Sequence, residues 1–428
     1  MNVQNAEGSP PRLARRVGWG KQKAATDIRP RPSVFCLLPT AYCLLSIVVP
    51  VATAQPNPES IRVAVVRSDP EVSLQIHGPF TILGRQSGQP IREGPRLAAV
   101  SVRAVPAGIA FGVNILPVSG IRVASGGEAA ISLNGRRLRG TLEIVKQKDQ
   151  TLLVINHIAL EDYLQGVLSK EAPDYWPEEV LKAIAIAART YAMYQRFTKE
   201  DVEYDVTGDV LSQDYGGKSE EKTATTRAVK ASAGLILLSR GRLFPTFYHS
   251  TCGGVTEHAR AMGDFDLEPL RGGVVCNFCS ASPFYRWQRR LTKADIGWAL
   301  SKSPRGSIGP VSALRVTKRT QSGRAQEIAI VGSKRTVRLT GFEFRSLFGF
   351  DRLRSPLFSV TPVGDAFLLD GRGWGHGVGM CQWGAAELAR RGWSAAEILS
   401  YYYPETELAT VHELVARPVE VIRGGLLN

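Results

Sequence analysis

Apolar and polar positions alternate in short runs between Ile61 and Asn156: IRVAVV, VSLQIHG, IAFGVNI, IRVAS, AAISLNG and TLLVIN, each broken by Gly, Pro or Asn. A period of two with turn residues at the breaks is the pattern of half-buried strands, so residues 60–156 form a β-rich N-terminal module. The period then changes. Leu160, Tyr163, Leu164, Val167 and Leu168 recur at helical spacing, with Glu161 and Asp162 in a first turn that favours carboxylates. Pro173 disfavours helical geometry at Ala172 and stops this helix at Glu171. A second helix starts near Pro177, with Glu178 and Glu179 in its first turn. Its buried stripe is Val180, Leu181, Ile184, Ala187, Ala188, Tyr191 and Tyr194. Further on, the pattern predicts a helix over 223–233 and a hairpin joining 235–238 to 243–249 across Ser239 and Arg242. It also predicts strands within 311–369, a helix over 341–348, and helices over 383–391 and 394–402. The fold class is therefore α+β, a β-rich mixed architecture with a central helical block.

Glu171 stands alone between the two helices of that block. The negative end of the helix dipole and the apolar neighbours Tyr175 and Trp176 both push its pKa upward, the tuning a general acid needs near neutral pH. The plainer reading is a solvated side chain in a last helical turn, and one perturbed carboxyl does not decide between them.

Composition changes the picture in two ways. The chain of 428 residues carries a formal charge of +14, which calls for an anionic partner: an acidic wall polymer, a membrane surface or nucleic acid. Residues 1–54 hold seven basic residues ahead of an apolar run over 34–49 and then Ala52-Thr53-Ala54, a small-x-small pattern resembling a signal-peptidase site. They read as a basic leader and signal peptide, or as an N-terminal anchor. The apolar run is broken by Pro39 and falls short of the roughly 20 residues that span a bilayer. Export disfavours nucleic acid as the partner.

Removing the leader removes Cys36 and Cys43 and leaves Cys252, Cys276, Cys279 and Cys381. In an oxidising compartment, disulfides are the plain expectation. The pairs His249-x-x-Cys252 and Cys276-x-x-Cys279 have zinc-site spacing instead, with His258 as a substitute ligand. The segment Gly371 to Met380, GRGWGHGVGM, has glycine at nearly every second position, which lets backbone approach a ligand or another segment closely. It lacks the Lys-Ser/Thr ending of a phosphate loop. His376 lies within it, and Gln382 and Trp383 after it suit sugar amides and pyranose faces. Around Tyr285, Arg286, Trp287, Arg289 and Arg290 the pattern fits either a polymer track or a half-exposed strand with arginine on its solvent face.

An ordered series of motifs spans most of residues 130–410. It runs NGRRLRGTLEIV, LLVINHIALEDYLQGVLSKEAP, LKAIAIAARTYA, Ser212-Gln213-x-Tyr215-Gly216-Gly217, FYHSTCGGVTE, SPFYRW, GRAQEIAIVG and GRGWGHGVGMCQWGAAELARRGWSAAEILSYYYPETEL. The series resembles the stage II sporulation protein D family and the related amidase enhancers, bacterial envelope proteins that act on or near peptidoglycan. The resemblance implies a catalytic region over 157–412 followed by a tail over 413–428. It implies a lytic transglycosylase in the periplasm or cell envelope, cutting the β-1,4 bond between N-acetylmuramic acid and N-acetylglucosamine in strands stripped of stem peptides.

By the same resemblance Glu171 holds the catalytic position. Arg189, Tyr191, Ser212, Gln213, Tyr215, His376 and Gln382 are its substrate-binding residues; the resemblance also implies zinc near the cleft, for which the spacing offers His249, Cys252, Cys276 and Cys279, with disulfides as the alternative. One carboxyl suffices when the sugar's own 6-hydroxyl is the nucleophile, and Asp205, Asp209, Asp214 and Asp264 have no motif-backed role. The chain departs from the family at Ala172, usually Met; at Ile184, usually Gln; and at Cys381, usually Ser. Loss of the glutamine would alter substrate contacts without removing the acid. The rival implied role is a glycan-binding modulator of another wall hydrolase such as an amidase.

Overall fold

The structure, a computed structural model, describes residues 59–126, 131–199, 202–209 and 212–426, so the expected leader lies outside the described residues. The alternating segments form two sheets. In Glu71–Ile76 the side chains of Val72, Leu74 and Ile76 are buried while Glu71 and Ser73 face out, the two-residue period read from the sequence. The first sheet has seven strands in the order Val206–Thr207, Ser60–Asp69, Leu152–Ala159, Thr141–Lys146, Gly120–Ser125, Phe80–Gly84, Pro90–Gly94. All its pairings are antiparallel except that of Val206–Thr207 with Ser60–Asp69. A six-stranded sheet runs Arg136–Leu138, Ile131–Leu133, Glu71–Ile76, Leu97–Val105, Gly108–Phe111, Asn114–Leu116. The two share one apolar core with the helices that follow.

Those helices are α1 (Leu160–Glu171) and α2 (Glu178–Thr198). The last residue of α1 is Glu171, and Ala172 is extended, as the restriction before Pro173 requires. In α2 every residue from Val180 to Gln195 except Lys182 is buried. The predicted stripe is thus one face of a helix packed on nearly all sides, and its alanines permit that approach. Ile184 is a core residue with no exposed surface. A third helix, α3 (Thr223–Ala231), packs against both.

The expected hairpin after α3 does not form. Leu235–Leu238 pairs antiparallel with Glu407–Thr410, and Ser239 and Arg242 close only a single bridge. Pro245 has no N–H to give a ladder, and the chain on either side of it pairs elsewhere: Leu243 with Val421, and Tyr248–His249 in parallel with Met380–Cys381. Val421 in that bridge and Gly425–Leu426, which pairs with Gly263–Asp264, tie the expected tail back to the body.

A second apolar core gathers Trp287, Leu291, Ile296, Leu314, Ile328, Phe344, Phe367 and Leu369. It is built from the sheet Arg286–Thr292, Ala366–Arg372, Phe358–Val363, the sheet Val311–Arg319, Ala325–Gly332, Thr336–Thr340, and the helices α4 (Lys293–Lys302) and α5 (Gly341–Phe348). Reciprocal caps start both helices, Thr292 with Asp295 and Thr340 with Glu343. Trp287 is in this core while Arg286, Arg289 and Arg290 face out, the half-exposed strand of the sequence alternatives. Helices α6 (Gln382–Arg390) and α7 (Ala395–Tyr402) return to the first core. Among the described residues no helix is long and apolar enough to cross a membrane.

Candidate active site and cysteine cluster

Glu171 is half-buried where α1 ends. Its Oε1 accepts the backbone N–H of Asp214 at 3.2 Å. The Gln382 amide nitrogen, at the start of α6, lies 3.2 Å from the Glu171 carbonyl and 3.5 Å from Oε2. Burial, helped by the nearby Asp214 charge, pushes the carboxyl up to about 7, against the Asp214 N–H, the Gln382 amide and the Lys170 charge. Close to pH 7 the group therefore exchanges its proton freely. Beside it Trp176 is buried edge-on to Trp383, with ring centres 5.4 Å apart, whereas Tyr175 is exposed. Of the four aspartates without a role, Asp205 is buried between Arg62 and Arg196, and Asp209 pairs with Arg67. Asp214 sits 3.6 Å from Lys170, and Asp264 is exposed in its strand.

The expected substrate residues divide into two groups. Gln213 and His376 both bond to Tyr248, Gln382 bonds to Glu171, and Tyr215 bonds to Asn156. The Tyr163 hydroxyl donates to Gln213 Oε1 at 3.1 Å, and Gln213 Nε2 donates to the Tyr248 hydroxyl at 3.0 Å and to the Ala188 carbonyl. Burial, with the charge of Glu171 among the further causes, holds the Tyr163 and Tyr248 phenols well above their usual range, so both stay neutral. Tyr215 donates to Asn156 at 3.0 Å and is fully buried. His376 Nδ1 accepts the Val378 N–H, so the ring proton is on Nε2 and is donated to the Tyr248 carbonyl, both at 3.0 Å. Burial, and then the charge of Arg345, hold this ring down to about 3, so it is a neutral donor.

Arg189, Tyr191 and Ser212 are placed otherwise. Arg189 has no exposed surface; its guanidinium grips both oxygens of Glu161 at 2.7 Å and the Leu235 carbonyl at 3.0 Å, pinning α2 to α1. A bidentate grip leaves it no free face for a sugar. Tyr191 is buried and hydrogen-bonded to the Gln195 and Ser212 side chains. Ser212 Oγ also accepts the Thr207 N–H at 3.2 Å, so it closes a turn.

The glycines of GRGWGHGVGM are required by geometry. Gly373, Gly375, Gly377 and Gly379 all have positive φ, and a Cβ on Gly379 would lie 1.9 Å from the Phe247 carbonyl. This close approach lets Met380–Cys381 pair with Tyr248–His249 and sets Gln382 beneath Glu171.

Four buried thiols, Cys252, Cys276, Cys279 and Cys381, lie with their sulfurs within 4.8 Å of one another. All four are free cysteines rather than disulfides. Cys381 takes the place expected for His249, which the register explains: in the parallel pair it is opposite His249. There the His249 ring turns away, donating Nδ1–H to the Val378 carbonyl at 3.0 Å, and its Nε2 has no partner among the described residues. His258 is a helix cap instead, accepting the Arg260 N–H. Backbone N–H groups of Gly254 and Cys252 point at the Cys252 and Cys381 sulfurs, each at 3.3 Å, while the neighbouring thiols and burial hold Cys252, and burial and the neighbouring thiols hold Cys381, above the usual thiol range. Only glycine fits at 384, because a Cβ there would come 2.5 Å from the Cys276 sulfur. A closed, buried four-sulfur set of this size has the donors of a structural metal site.

Sequence reasoning missed Tyr248 and Cys381 as members of these two clusters. For Cys381 the one available signal was the count of four cysteines outside the leader; Tyr248 lies in the FYHSTCGG motif but carried no spacing signal.

Fold and site together define a class: an α+β protein with a lone proton-holding carboxyl at a helix end, braced by a glycine-rich segment. A family model described as stage II sporulation protein matches residues 148–238, and one described as a domain of unknown function, DUF8618, matches residues 277–379. Stage II sporulation protein D of Bacillus subtilis is 30% identical over 270 residues, covering 60% of this chain and 76% of its own. An uncharacterized protein of Brachyspira hyodysenteriae is 30% identical over 353 residues, 81% of this chain and 92% of its own. The amidase enhancer of Bacillus subtilis is 26% identical over 294 residues, 58% of this chain and 40% of its own. The chain belongs to the stage II sporulation protein D family.

Proposed function

We propose that this chain is an exported lytic transglycosylase of the cell envelope that cleaves the β-1,4 bond between N-acetylmuramic acid and N-acetylglucosamine in peptidoglycan strands. The observation that carries the reading is Glu171, a half-buried carboxyl pushed up to about 7, beside which the Asp214 carboxylate lies 3.6 Å from Lys170. Protonated Glu171 gives its proton to the glycosidic oxygen as the bond from the muramic C1 breaks. The resulting carboxylate, held by the Asp214 N–H and Gln382, then removes the proton of the 6-hydroxyl as O6 bonds to C1. The products are a 1,6-anhydro ring and a free 4-hydroxyl, and Glu171 is protonated again. Gln382 reaches both the carboxyl and the backbone of Glu171, so it fixes the acid's rotamer. The shell of Gln213, Tyr163, Tyr248 and His376 stays neutral and keeps the surroundings poor in charge.

The cysteine cluster would hold one zinc ion on four thiolates. Bound there, the metal supplies a structural cross-link rather than an activated water, since four protein ligands close its coordination.

The test is incubation of purified protein with denuded glycan strands and mass spectrometry of the ends. Wild type should release 1,6-anhydromuramic ends, and Glu171→Gln should not; equal products from both would overturn the reading. The similarity to an amidase enhancer, together with the buried Ile184 at the glutamine position, supports the second reading, a modulator of another wall hydrolase. In that case neither form cuts, and wild type raises the rate of an added amidase.

A further inference from the structure

A cavity of about 430 Å³ opens between residues 257–262 and the segment 319–345, with His376 in its wall. Four arginines line it, Arg260, Arg319, Arg324 and Arg345, against one carboxylate, Glu257. Glu257 is already engaged by the Thr320 and Ser322 hydroxyls and the His258 N–H, and Arg260 is paired with Asp266. The remaining three make no ion pair among the described residues. Arg319 donates to the Gly323 and Phe358 carbonyls, and Arg345 to those of Leu353 and Arg354. Arg324 donates to the Val255 and Cys252 carbonyls and the Ser322 hydroxyl, and its Nε has no partner.

Arg324 and Arg345 are only 2% and 4% exposed. The Glu257 charge offsets part of the cost of burying Arg324, whereas Arg345 is bonded only to carbonyls, which offset less of the cost of burying its charge. Burial, and then the charge of Arg324, lower Arg345 to about 10. Such an arrangement is compensated when an anion enters, because guanidinium pairs well with carboxylate and phosphate oxygens. Met262, Phe342 and Pro356 give the wall an apolar part, beside the polar side chains of Gln321, Gln326 and Thr340. The loop also keeps the site narrow: a Cβ on Gly377 would lie 2.4 Å from the Arg324 guanidinium carbon.

We propose that this cavity is a second binding site, for an organic anion with a carboxylate or phosphate head and a small apolar body. The head meets Arg319, Arg324 and Arg345, and the body lies against Phe342 and Met262. The volume is that of a small-molecule site. The proposal does not rest on the transglycosylase reading, since none of these arginines touches Glu171 and the test reads binding alone.

The experiment is calorimetric titration of the full chain, in a buffer free of carboxylate and phosphate, with N-acetyl-D-alanyl-D-alanine and with glycerol 1-phosphate. Their neutral counterparts, the peptide amide and glycerol, serve as controls. The expected result is that at least one anion binds with Kd below about 10 mM and shifts the His376 ring signals in NMR, while the neutral molecules do neither. Binding of the peptide acid alone identifies a carboxylate source, and of glycerol phosphate alone a phosphate source. Arg345→Gln should weaken binding about tenfold or more. Arg319→Gln should weaken it by about threefold, and because Arg319 is exposed that variant folds even if Arg345→Gln does not. Absence of binding by both anions, equal binding of a neutral counterpart, or unchanged affinity in Arg319→Gln overturns the proposal.

Discussion

At the scale of single residues, Glu171 couples function to stability with a definite sign. Its folded pKa of about 7 is above the ordinary 4.5, so between those values the folded state holds more proton than the unfolded one. The stability this group contributes is complete below about pH 4.5 and is lost as pH rises through about 7. Glu171→Gln should therefore stabilise the protein at pH 8 by about 2 kcal/mol and leave it unchanged at pH 4, read from melting curves at both pH values. In the proposed reaction the acid form of the same group is needed for the first step, so turnover should fall as pH rises above about 7. Gln382→Leu removes a donor that favours the charged carboxyl, and the falling limb should move to higher pH. How far this site was legible varies by residue. The helix end at Glu171 follows from Pro173 alone, whereas the Asp214 N–H and the Tyr248 phenol arrive through backbone paths with no period in the sequence. Arg189 shows the opposite error: the motif marks it, but the structure spends it on Glu161.

At the scale of elements, strands and helices followed from hydrophobic period, because each buries one face or, for α2, nearly all of its surface. Pairing did not. Leu235–Leu238 finds its partner far along the chain at Glu407–Thr410, and no local pattern announces such a partner. The glycine segment was legible as unusual but not as to purpose, which is the close approach of Gly379 to the Phe247 carbonyl. A pair of substitutions separates backbone strain from that approach. Gly392 and Gly379 both have positive φ, at 89° and 68°, but a Cβ at Gly392 meets nothing within 4 Å. Gly392→Ala should cost about 1 kcal/mol and spare activity. Gly379→Ala should cost about 3 kcal/mol or more, since strain and collision add, and should reduce glycan cleavage by displacing Gln382. Denaturant melts and the anhydro-end assay read the two effects separately.

At the scale of the whole molecule, the described chain has two main apolar cores, and the cysteine cluster belongs to the larger. Its thiols come from three separate stretches, Cys252, the Cys276-x-x-Cys279 turn and Cys381 after the glycine loop, so a shared metal would cross-link them. Spacing exposed the Cys276–Cys279 pair, but the fourth thiol of the cluster is supplied by the parallel pairing that aligns Cys381 with His249, a property of the assembled sheet. The consequence is a stability test of the ligand set. Cys381→Ser keeps the volume but weakens a soft donor, and should release the metal and lower stability by on the order of 4 kcal/mol. His249→Gln should retain the metal, because the convergent donor set is the four sulfurs and includes neither ring nitrogen of His249. Zinc content by elemental analysis, taken alongside melting of each variant, distinguishes the sets: loss of zinc in His249→Gln and its retention in Cys381→Ser would restore the three-cysteine, one-histidine site expected from spacing. Since Cys381 directly precedes Gln382, loss of the cross-link should also loosen the partner of Glu171, so Cys381→Ser should lose glycan cleavage in proportion to the zinc it releases.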